Sequence, residues 1–183
     1  MIRFFFLILI FFLVQNNSIA SIKKNTIENL KKIENMSFSF VQTIGGKDEK
    51  GDCTIQYPKK IFCKYESRIN KILVSNGTSL VIKNDRQYYR YPLKSTPLEF
   101  ILNKNYLIKK IETSKLNKTN DKYFYFEIDE ENNKINIFFN KEDFKLVGWQ
   151  VEDIYQNLAV TYIFNSEINK NVDEKIFKLP ANN

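Results

Sequence analysis

The stretch GDCTIQYPKKIFCKYESRINKILVSNGTSLVIKNDRQYYRY, from Gly51 to Tyr91, decides the fold. Its alternating apolar runs are punctuated by Tyr57-Pro58, by Glu66 to Asn70, by Asn76-Gly77 and by Asn84-Asp85. Asn-Gly between two β-branched runs is a strong hairpin signal. Strand side chains alternate with period two, so Cys53, Ile55 and Tyr57 share one face. Across Pro58-Lys59, Ile61, Cys63 and Tyr65 share a face opposite Phe62, Lys64 and Glu66. The stretch therefore predicts an antiparallel ribbon with one apolar side that something must cover.

Working outward, Met36 to Ile44 alternates in the same way and stops at Gly45-Gly46, a turn signal. Ahead of it, Ile27, Leu30 and Ile33 recur at helical spacing, which predicts an amphipathic helix over Ile22 to Asn35. On the other side, Thr96-Pro97-Leu98-Glu99 reads as a capping box with proline at the first helical position. The short helix it opens, to about Lys104, is very apolar, and Tyr106-Leu107-Ile108 continues as helix or as entry to a strand. Strands are then predicted over Tyr123–Asp129, Lys134–Phe139, Phe144–Asp153 and Asn157–Ser166, with a last short one at Ile176–Leu179. In the third of these, Val147, Trp149 and Val151 are expected on one side. No repeat or linker interrupts the pattern, which predicts one mainly β domain of antiparallel meander type with a few helices.

The first residues set the compartment. Arg3, an apolar run from Phe4 to Val14 and Ser18-Ile19-Ala20 form a secretory leader pattern over residues 1–20, leaving a mature domain at 21–183. The apolar run is too short to span a bilayer. Position 21 is Ser, not Cys, so the mature chain is not expected to carry a lipid anchor itself. The two cysteines, Cys53 and Cys63, fall opposite each other on the ribbon's apolar face. An oxidising compartment allows a disulfide there; two buried free thiols are the other reading.

The formal net charge is +7, but the lysines are scattered among acidic residues and asparagines rather than gathered in a stripe. A solvated surface fits better than nucleic-acid binding. The chain has no His, which excludes Ser-His-Asp and Cys-His catalysis and His-based zinc sites. Asp129-Glu130-Glu131 and Asp48-Glu49 look like charged hairpin tips, and no carboxylates pair convincingly for acid–base work. No glycine-rich phosphate loop is present. The expectation is a protein that is not an enzyme, without metal or cofactor.

A large antiparallel sheet with few short covering helices packs in one of two ways. Either the core is solid, or a curved sheet keeps an apolar cavity that binds lipid-like ligands. Both need the same alternation, so periodicity does not separate them.

Several marks together carry a family resemblance. They are Phe38-Ser39-Phe40-Val41-Gln42 after a helix, Gly51, Tyr57-Pro58 with the run to Tyr65, and Ile72 to Gly77 with Leu80. Thr96-Pro97-Leu98, Gly148-Trp149 and Phe177-Lys178-Leu179-Pro180 complete them. In this order, behind a leader, the chain resembles the periplasmic outer-membrane lipoprotein carriers of the LolA type. The resemblance implies an unclosed, half β-barrel whose helices form a lid over an apolar cavity. It implies a periplasmic chaperone, acting as a monomer, that receives lipoproteins from an inner-membrane ABC lipoprotein-releasing complex. Delivery would be to an outer-membrane lipoprotein receptor. Three acyl chains would need an apolar lining, since each exposed CH₂ costs about 0.8 kcal/mol. Carried over by position, the cavity residues are Phe38, Phe40, Ile55, Tyr57, Ile61, Tyr65 and Trp149, with Cys53 and Cys63 on the same faces. The lid residues are Ile27, Leu30, Leu98, Ile101 and Leu102. For each of these, plain core packing is the simpler role. The family often has an arginine before the proline that bonds the closed lid; here Tyr57 stands there, so the switch does not carry over. A lipid- or lipoprotein-binding sensor or envelope protein of the same fold, which shuttles nothing, is the alternative reading.

Overall fold

The computed structural model describes residues 19–118, 121–130, 133–152 and 157–182. The leader pattern falls mainly on residues 1–18, outside the described residues; residues 19 and 20 belong to the first helix. Eleven strands form one antiparallel sheet: β1 (Asn35–Ile44), β2 (Lys47–Gln56), β3 (Lys60–Tyr65), β4 (Ile72–Asn76), β5 (Ser79–Lys83), β6 (Tyr88–Pro92), β7 (Lys115–Lys118), β8 (Tyr123–Glu130), β9 (Asn133–Asn140), β10 (Leu146–Glu152) and β11 (Leu158–Ile168). Their spatial order is β6-β5-β4-β3-β2-β1-β11-β10-β9-β8-β7, so β6 and β7 are free edges and the sheet does not close into a barrel. On the concave side lie α1 (19–32), α2 (Leu98–Leu102) and α3 (Lys104–Thr113).

The central ribbon forms as its alternation requires. Cys53 pairs with Cys63 and Ile55 with Ile61 across β2 and β3. The turn between them holds a cis Tyr57-Pro58 bond and Lys59 at φ 69°. Asn76 is still in strand, and its side-chain oxygen accepts from the Thr78 and Ser79 N–H groups at 3.0 Å each. Gly77, at φ 98°, then supplies the positive φ of the tight turn. At the next turn the Asn84 side chain accepts from the Arg86 and Gln87 N–H groups.

Four local expectations are corrected. The first helix ends at residue 32, because Asn35 already pairs with Gln56 in the sheet. Thr96 does not cap α2: its hydroxyl donates to the Leu93 carbonyl at 2.8 Å and closes a preceding 3-10 turn, while Glu99 turns to Lys59. A register shift between Leu146 and Gly148 flips the phase of β10, so Leu146, Trp149 and Val151 are buried and Val147 is only half-buried. Ile176–Leu179 is not a strand; Glu174–Phe177 is a 3-10 turn. That turn sits on the convex side of β3 and β4. There Lys60 pairs with Glu174 at 2.6 Å, and Phe177, Val74 and Val81 are buried together outside the main core.

The two halves of the concave face differ. Over β8 and β9 the packing is solid. Phe124, Phe126, Phe139, Ile128, Ile135 and Ile137 are buried, with Phe124 stacked on Phe139 at 5.7 Å and Phe126 edge-on to it at 5.9 Å. Leu107 and Ile111 of α3 cover them. Asn103 caps α3 by accepting from the Tyr106 N–H. Lys110 pairs with Glu130 of β8 and holds that carboxyl below its usual range.

One glycine is forced by the sheet itself. Gly148 has φ 153°, and a Cβ there would stand 2.2 Å from the Thr161 carbonyl oxygen. It lies between Phe138 and Tyr162 in register, and their rings approach to 6.3 Å on the convex side. Gly148→Ala is expected to cost at least about 2 kcal/mol, since an L side chain is strained there and the neighbour is backbone. Thermal unfolding should show the midpoint falling by about 4–8 °C.

Candidate ligand cavity

Under the β1–β6 half of the sheet the concave side is hollow. The cavity measures about 400 Å³. Its walls follow from the register. Leu73 on the neighbouring β4, and Leu80 and Ile82 on β5, face the same way as Cys63 and Ile61, and Tyr89 and Tyr91 continue the row to the edge. Phe40, Cys53, Ile61, Cys63, Leu80 and Trp149 are buried in its floor. Ala159 and Thr161 close it on β11, where the larger Leu158, Tyr162 and Phe164 point to solvent instead. Small side chains at the inward positions of β11 are the local reason that space remains.

Polar groups gather at the mouth. Gln42 donates to the Thr161 hydroxyl at 2.8 Å. The Lys71 ammonium donates to both Glu49 carboxylate oxygens at 2.6 Å and lies 4.1 Å from the centre of the Tyr65 ring. Asn84, Gln87 and Glu152 complete the rim. Burial, with the Glu49 charge behind it, pushes the Tyr65 phenol up. Among the described residues no cluster of potential metal ligands occurs, and no helix is long and apolar enough to cross a membrane. This geometry can enclose an apolar chain and leave a polar head at the rim.

The residues singled out in the sequence divide. Phe40, Ile61, Tyr65, Trp149 and Leu98 line the cavity, together with both cysteines. Cys53 and Cys63 are joined, S–S 2.00 Å, and their bridge is part of the wall. Phe38, Ile55, Leu30, Ile101 and Leu102 are buried in the continuous core beside the cavity rather than on its surface. Ile27 and Tyr57 pack half-buried against that core. The sequence reading missed the contributions of β4 to β6 and of β11. The signal was present in Ala159 and Thr161, small or polar side chains at inward-facing positions.

Tyr57 makes no lid bond in the way an arginine would. It is half-buried, burial pushes its phenol up, and the Lys104 ammonium lies 5.4 Å from its ring centre. The link to the lid is made two residues later. The Lys59 N–H donates to the Leu102 carbonyl at 2.9 Å, and the Lys59 ammonium pairs with Glu99 at 2.5 Å. Glu99→Gln should change global stability by less than about 1 kcal/mol, because a pair whose lysine reaches solvent contributes little. Amide exchange in α2 should nevertheless speed up by about twofold to fivefold, since α2 is held by few contacts.

The family model "Outer membrane lipoprotein carrier protein LolA" matches residues 31–180. Among solved structures, a conserved protein from Thermus thermophilus shares 6% identity over 89% of this chain and 95% of its own, with TM-score 0.52. A LolA-superfamily protein from Nitrosomonas europaea shares 10% identity over 87% of this chain and 97% of its own, TM-score 0.46. Lipoprotein LppX from Mycobacterium tuberculosis shares 10% over 86% and 99%, TM-score 0.46. A comparison with curated proteins finds no match. At these identities the structural likeness speaks to the fold alone, and the family rests on the match across residues 31–180: the chain belongs to the LolA family of outer membrane lipoprotein carrier proteins.

Proposed function

We propose that this protein is a periplasmic carrier. It binds the acyl chains of lipoproteins released from the inner membrane and delivers them to the outer membrane. The observation that carries this reading is the half-open apolar cavity of about 400 Å³, with α2 at its edge, in a chain of the lipoprotein-carrier family. Acyl chains gain about 0.8 kcal/mol per CH₂ on leaving water, so an apolar lining is sufficient to hold them without covalent chemistry. The partners of this reading are an inner-membrane ABC releasing complex and an outer-membrane receptor.

The test is a release assay. The chain from residue 21 onward is added to spheroplasts whose inner membranes hold labelled lipoproteins. The reading expects labelled lipoprotein in the soluble fraction, co-eluting with the carrier. Lipoprotein that stays with the membranes at every carrier concentration contradicts it.

A further inference from the structure

The positive charge of the chain is not spread evenly over the fold. Residues 19–32 and 93–113 hold α1, the Leu93–Ser95 turn, α2 and α3, and carry eight lysines against three glutamates. They account for five of the seven formal positive charges. In sequence these lysines fall in two distant groups, and the fold brings them together. At one end of the helical layer the Lys23 ammonium donates to the Glu112 carbonyl at 3.0 Å. At the other end the Lys104 ammonium donates to the Ile33 carbonyl at 2.7 Å. The start of α1 thus meets the end of α3, and the reverse, so the two helices lie side by side and antiparallel.

Most of the remaining lysines point away from the protein. Thr26 and Leu30 of α1 and Leu107 and Ile111 of α3 are buried. Helical spacing then puts Lys24 and Lys31 on the opposite side of α1, and Lys109 on the opposite side of α3. Lys24, Lys31, Lys32, Lys94 and Lys109 are all exposed. Among the described residues none of the five has a carboxylate within ion-pair distance. Of the layer's acids, Glu99 is held by Lys59, which leaves Glu28 and Glu112 exposed among the lysines. On the sheet, by contrast, Lys60, Lys71 and Lys134 each pair with an acid.

The chemistry of the layer favours a plane of anions over one fixed phosphate. It holds no arginine, so no planar fork is present for bidentate recognition. Lysines are mobile point charges, and they suit headgroups that can move to meet them. We propose that the α1–α3 face docks on the surface of a membrane leaflet containing anionic phospholipids. Docking there sets α2, whose Leu98 lines the cavity, toward the leaflet. The inference does not depend on what the cavity holds, and its failure would leave the acyl-binding reading in place.

The experiment uses the chain from residue 21 onward and co-sedimentation with two vesicle preparations. One is phosphatidylcholine alone; the other is equal parts phosphatidylcholine and phosphatidylglycerol. Each lysine held near an anionic surface strengthens binding by roughly fivefold at low salt. The anionic vesicles should therefore bind at least about thirtyfold more tightly than the neutral ones. At about 0.5 M salt, where charges are screened beyond about 5 Å, the preference should shrink to within about threefold. Replacing Lys24, Lys31, Lys32 and Lys109 together by Gln should weaken binding to the anionic vesicles by at least about tenfold. Glutamine is a good helix former, so this variant should fold, which circular dichroism checks. A matched variant removes the same number of charges from the other side of the molecule, with Gln at the exposed positions Lys50, Lys64, Lys175 and Lys178. It should lose less than about threefold. Equal losses in the two variants would overturn the proposal, since net charge rather than this face would then be acting. Absence of binding to anionic vesicles, or equal binding to both preparations at low salt, would overturn it as well.

Discussion

Phe126→Ala should lower stability by about 3–5 kcal/mol, whereas Leu80→Ala should cost about 2 kcal/mol or less. Both side chains are buried, Phe126 at 0% exposure and Leu80 at 4%. Their surroundings differ. Phe126 meets Phe124 and Phe139 ring to ring under α3, so its removal leaves a void bounded by packed atoms on every side. The cost is then the lost transfer energy plus the cavity term. Leu80 already borders empty space, so truncation enlarges a cavity rather than creating one. The dispersion contacts it forfeits are fewer for the same reason. Urea titration of the two variants measures the difference. Equal losses would mean that the two halves of the concave side are packed alike.

The second large effect is on binding. Ala159 pairs with Ile44 and Val151 across β11 and faces the cavity. Ala159→Phe places a ring of six additional carbons into that space, roughly 150–180 Å³ at about 25–30 Å³ per carbon. About half of a bound chain is displaced, which predicts at least a hundredfold loss of affinity for a sixteen-carbon lysolipid at about 0.8 kcal/mol per CH₂. Stability should change by less than about 2 kcal/mol, because the ring fills existing space instead of overpacking a full core. Fluorescent fatty acid displacement and urea unfolding, run on the same preparation, separate the two effects. Undiminished binding by a folded variant would place the lipid somewhere else.

Much of the fold was legible because strand alternation and turn chemistry agreed. Cys53, Ile55, Ile61 and Cys63 alternate on either side of a proline turn, and the structure pairs them in that register. The failures occurred where local signals were weak or in competition. Lys115–Lys118 carries no apolar alternation, so the edge strand β7 was invisible; it forms by pairing with β8. The Thr96 hydroxyl had two nearby partners, and the Leu93 carbonyl won over the α2 N-terminus. At the C-terminus, Phe177 is buried as a plug on the convex face, which a single apolar residue among lysines does not distinguish from a strand end.

The site was less legible than the fold. Inward residues read the same whether they touch one another or line a void. Phe38 and Phe40 sit on one strand face, yet only Phe40 reaches the cavity; Phe38 packs edge-on against Trp149 at 6.1 Å. What empties the β1–β6 half is a difference in side-chain volume between strands that are far apart in sequence. Phe124, Phe126 and Phe139 fill one side, while Ala159 and Thr161 leave room on the other. Only the register that joins β1 to β11 sets Ala159 against Ile44 and Thr161 against Gln42, beside Phe40 on the same sheet face.

The central claim is that the cavity carries an acyl chain. Expressing the chain from residue 21 onward behind a secretory leader in a Gram-negative periplasm and analysing the purified protein by native mass spectrometry tests it most directly. The account predicts a co-purifying acylated species at one per protein, lost in Ala159→Phe. A protein that stays ligand-free, even after mixing with detergent-released lipoprotein and with lysophosphatidylcholine, would contradict it.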